Sequence, residues 1–158
     1  MSYFMYDKNN NIDFEKIEKD LGFEINSDLK EFYQKNVIPD HKFQLDANNI
    51  NCIYNGINWF DGDEPIDVEL LMIDKNCEDK IISNFNQEAI YGSDVNDEDI
   101  RYHLGYLVDD RGYMGLYFNN NTGEIDFCDF EYGADSWAEC PRAVISASIK
   151  DFVELLNN

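Results

Sequence analysis

Three short hydrophobic segments separated by turn sequences lie between residues 106 and 130, and they constrain the fold more than any other feature. The segments are Tyr106–Val108, Met114–Phe118 and Glu124–Phe130. They are separated by Asp110-Arg-Gly112 and Asn119-Asn-Asn-Thr-Gly123, which are rich in residues that tight turns favour. Because short turns join neighbouring antiparallel strands, this pattern predicts an antiparallel meander.

Segments with helical periodicity lie on both sides of this meander. Apolar residues at helical spacing, followed by Gly22, predict a helix near 13–21. Ser27 is predicted to cap a second helix that ends near Asn36, and a final helix is predicted near 146–157. Helices around a run of strands predict an α+β fold, with an antiparallel-dominated sheet against which the N-terminal helices and the C-terminal helix pack.

The chain has 158 residues, a length typical of one domain, so we predict a single domain over 1–158. Its hydrophobic content of 44% and aromatic content of 15% are those of a chain that folds around a core. We expect both ends of the chain to contribute to one core, formed by Phe32, Leu107, Leu116, Phe118, Ile125, Phe127, Phe152 and Leu155.

Apolar residues also alternate with polar ones between residues 41 and 54. Phe43 and Leu45 form one such run, and Ile50, Cys52 and Tyr54 form another. Since residues 46–49 between them resemble a turn, the two runs are predicted to pair as a β-hairpin. Asn55-Gly56 is a further turn signal.

The charge of the chain is strongly acidic. It contains 12 Lys and Arg residues against 33 Asp and Glu residues, a formal net charge of −21. Residues 60–100 contain 13 of these acids and only two lysines, a net charge of −11. This charge argues against nucleic acid as a direct ligand, because phosphate binding depends on Lys and Arg. The same argument disfavours binding to an anionic membrane surface, so we predict neither as a partner.

The sequence indicates no catalytic residues, no metal site and no cofactor. Calcium-loop spacing fails for the acidic segments that begin at Asp61 and Asp94, and His41 and His103 form no recognisable zinc pair with the four scattered cysteines. A histidine brought beside a cysteine by folding remains open as an enzymatic alternative. The four cysteines are widely spaced and include no Cys-x-x-Cys pair, so we predict reduced thiols in a cytoplasmic protein, with two disulfides as the alternative. No signal peptide and no membrane span are recognisable.

Several segments resemble the SMI1/KNR4, or SUKH, superfamily in the order in which that family has them. They are Leu21-Gly-Phe-Glu-Ile-Asn-Ser-Asp-Leu-Lys-Glu-Phe-Tyr33, Leu107-Val-Asp-Asp-Arg-Gly-Tyr-Met-Gly-Leu-Tyr-Phe118, Gly123-Glu-Ile-Asp-Phe-Cys-Asp-Phe-Glu131 and Val144-Ile-Ser-Ala-Ser-Ile-Lys-Asp-Phe-Val-Glu-Leu-Leu156. The family's pattern is not followed at Ile25-Asn26, at Asn36-Val-Ile-Pro39 and at Ile149. The resemblance implies a non-enzymatic α+β binding domain of the kind that bacteria use as immunity proteins against toxin domains.

The functional expectation is a cytoplasmic immunity protein that binds and neutralises a basic, nuclease-type toxin domain of a polymorphic or contact-dependent toxin system. A regulatory protein-binding module of the same fold, with a cellular partner, is the alternative. Partner contact is predicted where two aromatic residues adjoin the acidic region. The predicted contact residues are Trp59, Phe60, Asp61, Asp63, Glu64, Asp67, Asp94, Asp97, Glu98 and Asp99.

Overall fold

The computed structural model describes residues 5–6, 11–37, 42–46, 50–60, 65–73, 76–86, 99–109, 112–129 and 141–157. The helices in these ranges are α1 (Phe14–Leu21), α2 (Ser27–Lys35), α3 (Glu78–Asn84) and α4 (Ile149–Leu155). The strands are β1 (Met5–Tyr6), β2 (Asn36–Val37), β3 (Lys42–Leu45), β4 (Ile53–Tyr54), β5 (Ile57–Asn58), β6 (Ile66–Leu70), β7 (Arg101–Asp109), β8 (Gly112–Asn119), β9 (Ile125–Cys128), β10 (Arg142–Ser146) and β11 (Leu156–Asn157). The architecture is α+β, as the sequence predicted.

Seven of these strands form one antiparallel sheet in the order β10-β9-β8-β7-β6-β3-β11. The predicted meander is confirmed, because β7 pairs with β8 and β8 pairs with β9. β1 with β2, and β4 with β5, form two separate two-stranded sheets. The meander therefore occupies the middle of the large sheet, where β7 is bonded on both sides.

The helix ends follow from local capping chemistry. The Asp13 side chain accepts a hydrogen bond from the backbone N–H of Lys16 at the start of α1. Gly22 ends this helix in the left-handed region at φ +81°, which glycine adopts without steric cost. The cap of α2 is Asn26 and not Ser27, because the Asn26 side chain accepts from the N–H of Asp28.

The helices cover one face of the large sheet. Residues paired across antiparallel strands point to the same face, and the paired row Phe43, Val68, Leu107 and Met114 is buried throughout. These side chains belong to one hydrophobic cluster with residues of all four helices. All eight predicted core residues belong to it or pack against it, with Phe32 and Leu155 only half-buried. Packing of the C-terminal helix on the core is thereby confirmed.

The predicted hairpin between residues 43–45 and 50–54 is wrong. β3 pairs with β6 and β11, while β4 pairs with β5 immediately after it in the chain. The physical reason is burial: Phe43 and Leu45 complete the helix-covered face beside Val68 and Ile66. The Asn55-Gly56 turn closes its own hairpin, since both residues adopt positive φ as a tight two-residue turn requires.

In the described ranges, no helix has the length and apolar character that crossing a membrane would need.

Candidate partner-binding surface

Trp59 and Phe60, the two aromatic residues of the predicted site, both pack on the core. Trp59 is half-buried, and its backbone N–H donates to the carbonyl of Cys52 at 2.8 Å. Phe60 is only 6% exposed, and its ring centroid lies 4.9 Å from that of Phe127. The structure therefore corrects the role of Phe60, whose side chain fills the core and does not offer an exposed aromatic contact.

Two of the predicted acidic residues, Asp67 and Asp99, lie within the described ranges, and the structure places them far apart. Asp67 is exposed in β6 opposite Val108, whereas Asp99 precedes Arg101 at the other end of β7. The seven residue-to-residue steps from Arg101 to Val108 alone span about 23 Å at roughly 3.3 Å per step. The remaining predicted acids, Asp61, Asp63, Glu64, Asp94, Asp97 and Glu98, are outside the described residues.

Asp99 is held in place by hydrogen bonds. Its carboxylate accepts from the side-chain amides of Asn119 at 3.1 Å and Asn121 at 3.3 Å. One oxygen also lies 3.9 Å from the guanidinium of Arg101. These contacts tie Asp99 to the turn between β8 and β9, so this carboxylate has a structural role besides its charge.

The β4–β5 hairpin carries the two most exposed large hydrophobic side chains of the described residues. Ile53 is 70% exposed and Ile57 is 64% exposed. The Asn55-Gly56 turn was predicted from the sequence and these exposed isoleucines were not, although a turn signal flanked by β-branched residues indicates a hairpin. Because the hairpin directly precedes Trp59, it places exposed aliphatic side chains beside the predicted site.

The sheet face opposite the helices, here called the open face, carries a cluster of four aromatic side chains. The His103 ring lies 4.8 Å from the Tyr106 ring at 90° and 5.5 Å from the Tyr117 ring. The Tyr106 and Tyr113 rings meet edge to face at 5.5 Å. Tyr113 is 50% exposed, whereas Tyr117 is buried outside the main hydrophobic cluster. The open face thus presents aromatic surface to solvent, which the sequence pattern did not predict.

Gly115 creates the space that the Tyr117 ring occupies. A Cβ atom built at Gly115 would overlap the Tyr117 hydroxyl and lie 2.7 Å from its Cε2 atom. The phenol ring therefore lies across the strand over Gly115. The glycine at this position permits the compact packing of the aromatic cluster.

Ion pairs flank the aromatic cluster on the open face. The Arg101 guanidinium donates from Nε to a carboxylate oxygen of Asp126 at 2.9 Å, and both side chains are buried. On the other side, Lys42 Nζ lies 3.1 Å from Glu69 Oε1. The bond to this carboxylate raises the pKa of Lys42 above its ordinary value. One ion pair therefore lies on each side of the aromatic cluster.

The His103 imidazole is shielded within this cluster. Its Nε2 atom lies 3.0 Å from the carbonyl oxygen of Gly105. Burial lowers the pKa of His103, and the bond to that carbonyl opposes the shift in part. The neutral imidazole is therefore the favoured form near neutral pH.

The chain matches no protein-family model and no curated protein.

Some exposed groups of the described residues are suited to contact with a partner. The described residues contain no group of three or more His, Cys, Asp and Glu side chains that could hold a metal ion. Cys52, Cys77 and Cys128 are buried thiols. In contrast, exposed aromatic rings beside carboxylates can accept a cation, and exposed aliphatic side chains can enter a complementary apolar pocket.

Proposed function

We propose that this chain is a non-enzymatic, cytoplasmic immunity protein that binds and neutralises a basic toxin domain of a polymorphic or contact-dependent toxin system. The observation that carries the proposal is the hairpin with Ile53 and Ile57 exposed, in a chain of net charge −21. The resemblance of the sequence to the SUKH superfamily supports the same function.

The exposed isoleucines of the hairpin and the negative charge of the chain act at different steps of binding. Apolar side chains that stand in solvent on a short hairpin gain free energy when a partner buries them, and such anchors slow dissociation. The negative charge attracts a basic partner over a distance and speeds association, most strongly at low salt. A nuclease-type toxin must present Lys and Arg to hold phosphates, so it is the class of partner that fits both features.

The test is to co-express the chain with the toxin domain encoded beside its gene, measure survival, and then measure binding kinetics. We expect Ile53→Ser/Ile57→Ser to speed dissociation at least tenfold. The matched control is Met72→Ser, which removes another partly exposed apolar side chain, 42% exposed, outside the hairpin. Dissociation of that control is expected to stay within threefold of the wild type.

A charge-neutralised variant tests the second step. Replacing Asp61, Asp63 and Glu64 by Asn or Gln is expected to slow association and flatten its dependence on salt, with little change in dissociation. Failure of the wild-type chain to protect cells from the toxin would refute the immunity function. Binding of the hairpin to a cellular protein instead would favour the regulatory alternative.

A further inference from the structure

One corner of the open face already holds a cation that belongs to the chain itself. Lys42 Nζ lies 3.1 Å from Glu69 Oε1, and the lysine side chain is 73% exposed. The negative charge of Asp67 also raises the pKa of this lysine, although Glu69 contributes most. The corner therefore contains one exposed ammonium group and two carboxylates that attract it.

The register of the sheet explains why these residues meet. Lys42, Glu69 and Tyr106 are paired in one row across β3, β6 and β7. Asp67 and Tyr113 belong to the adjacent row, each paired with Val108 of β7. Neighbouring strands are about 4.8 Å apart, so both carboxylates and both tyrosine rings lie within reach of one bound side chain.

We propose that the corner formed by Asp67, Glu69, Tyr106 and Tyr113 is a binding site for an arginine side chain of a basic protein partner, and that Lys42 occupies it as an internal competitor. The identity of the partner protein rests on the proposed function. The chemistry of the site rests on the open face alone.

Arginine fits this corner better than lysine does. A guanidinium group is planar, stacks on tyrosine rings and can bond one or two carboxylates through its fixed set of N–H donors. The edge-to-face arrangement of Tyr106 and Tyr113, at 5.5 Å and 87°, places two rings in different orientations beside the carboxylates. Displacing Lys42 costs little, because exposed ion pairs contribute little to stability.

The experiment uses a probe with one guanidinium group and no other charge, N-acetylarginine amide, titrated into the ¹⁵N-labelled full chain. We expect amide chemical-shift changes concentrated at Asp67, Glu69, Tyr106 and Tyr113. N-acetylcitrulline amide, which has nearly the same shape without the charge, is expected to leave these signals unchanged. Shift changes spread over the surface, or equal changes with the citrulline compound, would overturn the proposal.

Two lysine variants distinguish competition by Lys42 at the site from the effect of changing the net charge of the chain. Lys42→Met should tighten probe binding at least threefold, because Glu69 and Asp67 lose their internal cation. Lys35→Met is the matched control, since Lys35 also forms an exposed ion pair, with Glu31 on α2, and its loss changes the net charge equally. An equal gain in affinity for both variants would refute the role of Lys42.

Tyr113 is exposed, so it can be replaced without unfolding the chain. Tyr113→Leu is expected to weaken probe binding at least threefold, and unchanged binding would contradict an aromatic contribution. None of these measurements requires the toxin. A chain that binds the probe at this corner but fails to protect cells would refute the proposed function and leave the arginine site standing.

Discussion

Replacing Gly115 by alanine tests whether the aromatic cluster of the open face depends on one missing side chain. The new Cβ atom would overlap the Tyr117 hydroxyl and lie 2.7 Å from its Cε2 atom, so the phenol ring has to move. Gly115 does not have a positive φ, and alanine therefore brings no backbone strain of its own. The cost of the substitution should come entirely from the displacement of Tyr117.

The burial of Tyr117 sets the size of the effect. This side chain is 3% exposed, and a buried tyrosine removes roughly 150–250 Å² of surface from water. At about 25 cal/mol per Å², complete expulsion would cost about 4–6 kcal/mol, and a half-way displacement about 2–3 kcal/mol. Alanine regains roughly 0.5–1 kcal/mol over glycine in a strand. We therefore expect Gly115→Ala to lower the free energy of unfolding by about 2 kcal/mol.

The assay is a double-mutant cycle followed by urea unfolding. In a Tyr117→Leu background the shorter side chain no longer reaches over residue 115, so Gly115→Ala should then cost less than about 0.5 kcal/mol. An undiminished cost in that background would refute the steric explanation. Gly105→Ala is the comparison, because its Cβ would lie 2.9 Å from the Cα atom of Leu70, and backbone contact of this kind cannot be relieved by shortening Tyr117.

Two further predictions concern the charged and titratable groups of the open face. Arg101→Met removes the main positive charge beside the buried carboxylate of Asp126, and it is expected to lower the free energy of unfolding in urea by about 3–5 kcal/mol. The double variant Arg101→Met/Asp126→Leu should recover most of this loss. A double variant as unstable as the single one would contradict that explanation. Burial lowers the pKa of His103, so below pH 6.5 this residue binds more protons in the unfolded chain than in the folded one. The wild type should therefore lose stability relative to His103→Gln as the pH falls from 7 to 5.5. The loss should be at most about 1.4 kcal/mol per pH unit. A stability difference between the two proteins that does not vary with pH would contradict the assigned environment of His103.

The central strands and the C-terminal end of α1 were predictable because their signals are local. The turn sequences Asp110-Arg-Gly112 and Asn119-Asn-Asn-Thr-Gly123 lie between strands that pair with each other, so register follows from short connections. Gly22 ends α1 by the conformation of a single residue. Such features require no knowledge of distant parts of the chain.

The partner of β3 was not predictable in the same way. Phe43 and Leu45 show the alternation of a strand with one buried face, but alternation does not say which other strand lies beside it. The nearest similar segment in the chain was the expected partner, and the structure pairs β3 with β6 and β11 instead. Burial against Val68 and Ile66 favours this non-local pairing.

The predicted site shows the same division between local and non-local information. The acidic character of residues 60–100 is a property of composition, and the sequence alone establishes it. The sequence alone does not establish which aromatic residues are exposed, because Phe60 is buried only once Phe127 is positioned beside it. The sequence therefore establishes the acidic character of this region without identifying which aromatic side chains face solvent.

The sequence by itself determined the α+β class, the meander and the acidic charge, since these depend on periodicity, turn residues and composition. The tertiary structure alone decided the open face. His103 and Tyr106 are three residues apart, and strict alternation would place them on opposite faces of the sheet. A β-bulge between His103 and Gly105 adds one residue to β7 and brings both rings to the same face, 4.8 Å apart. Bulges and long-range pairings arise from packing between distant segments, which no local pattern encodes.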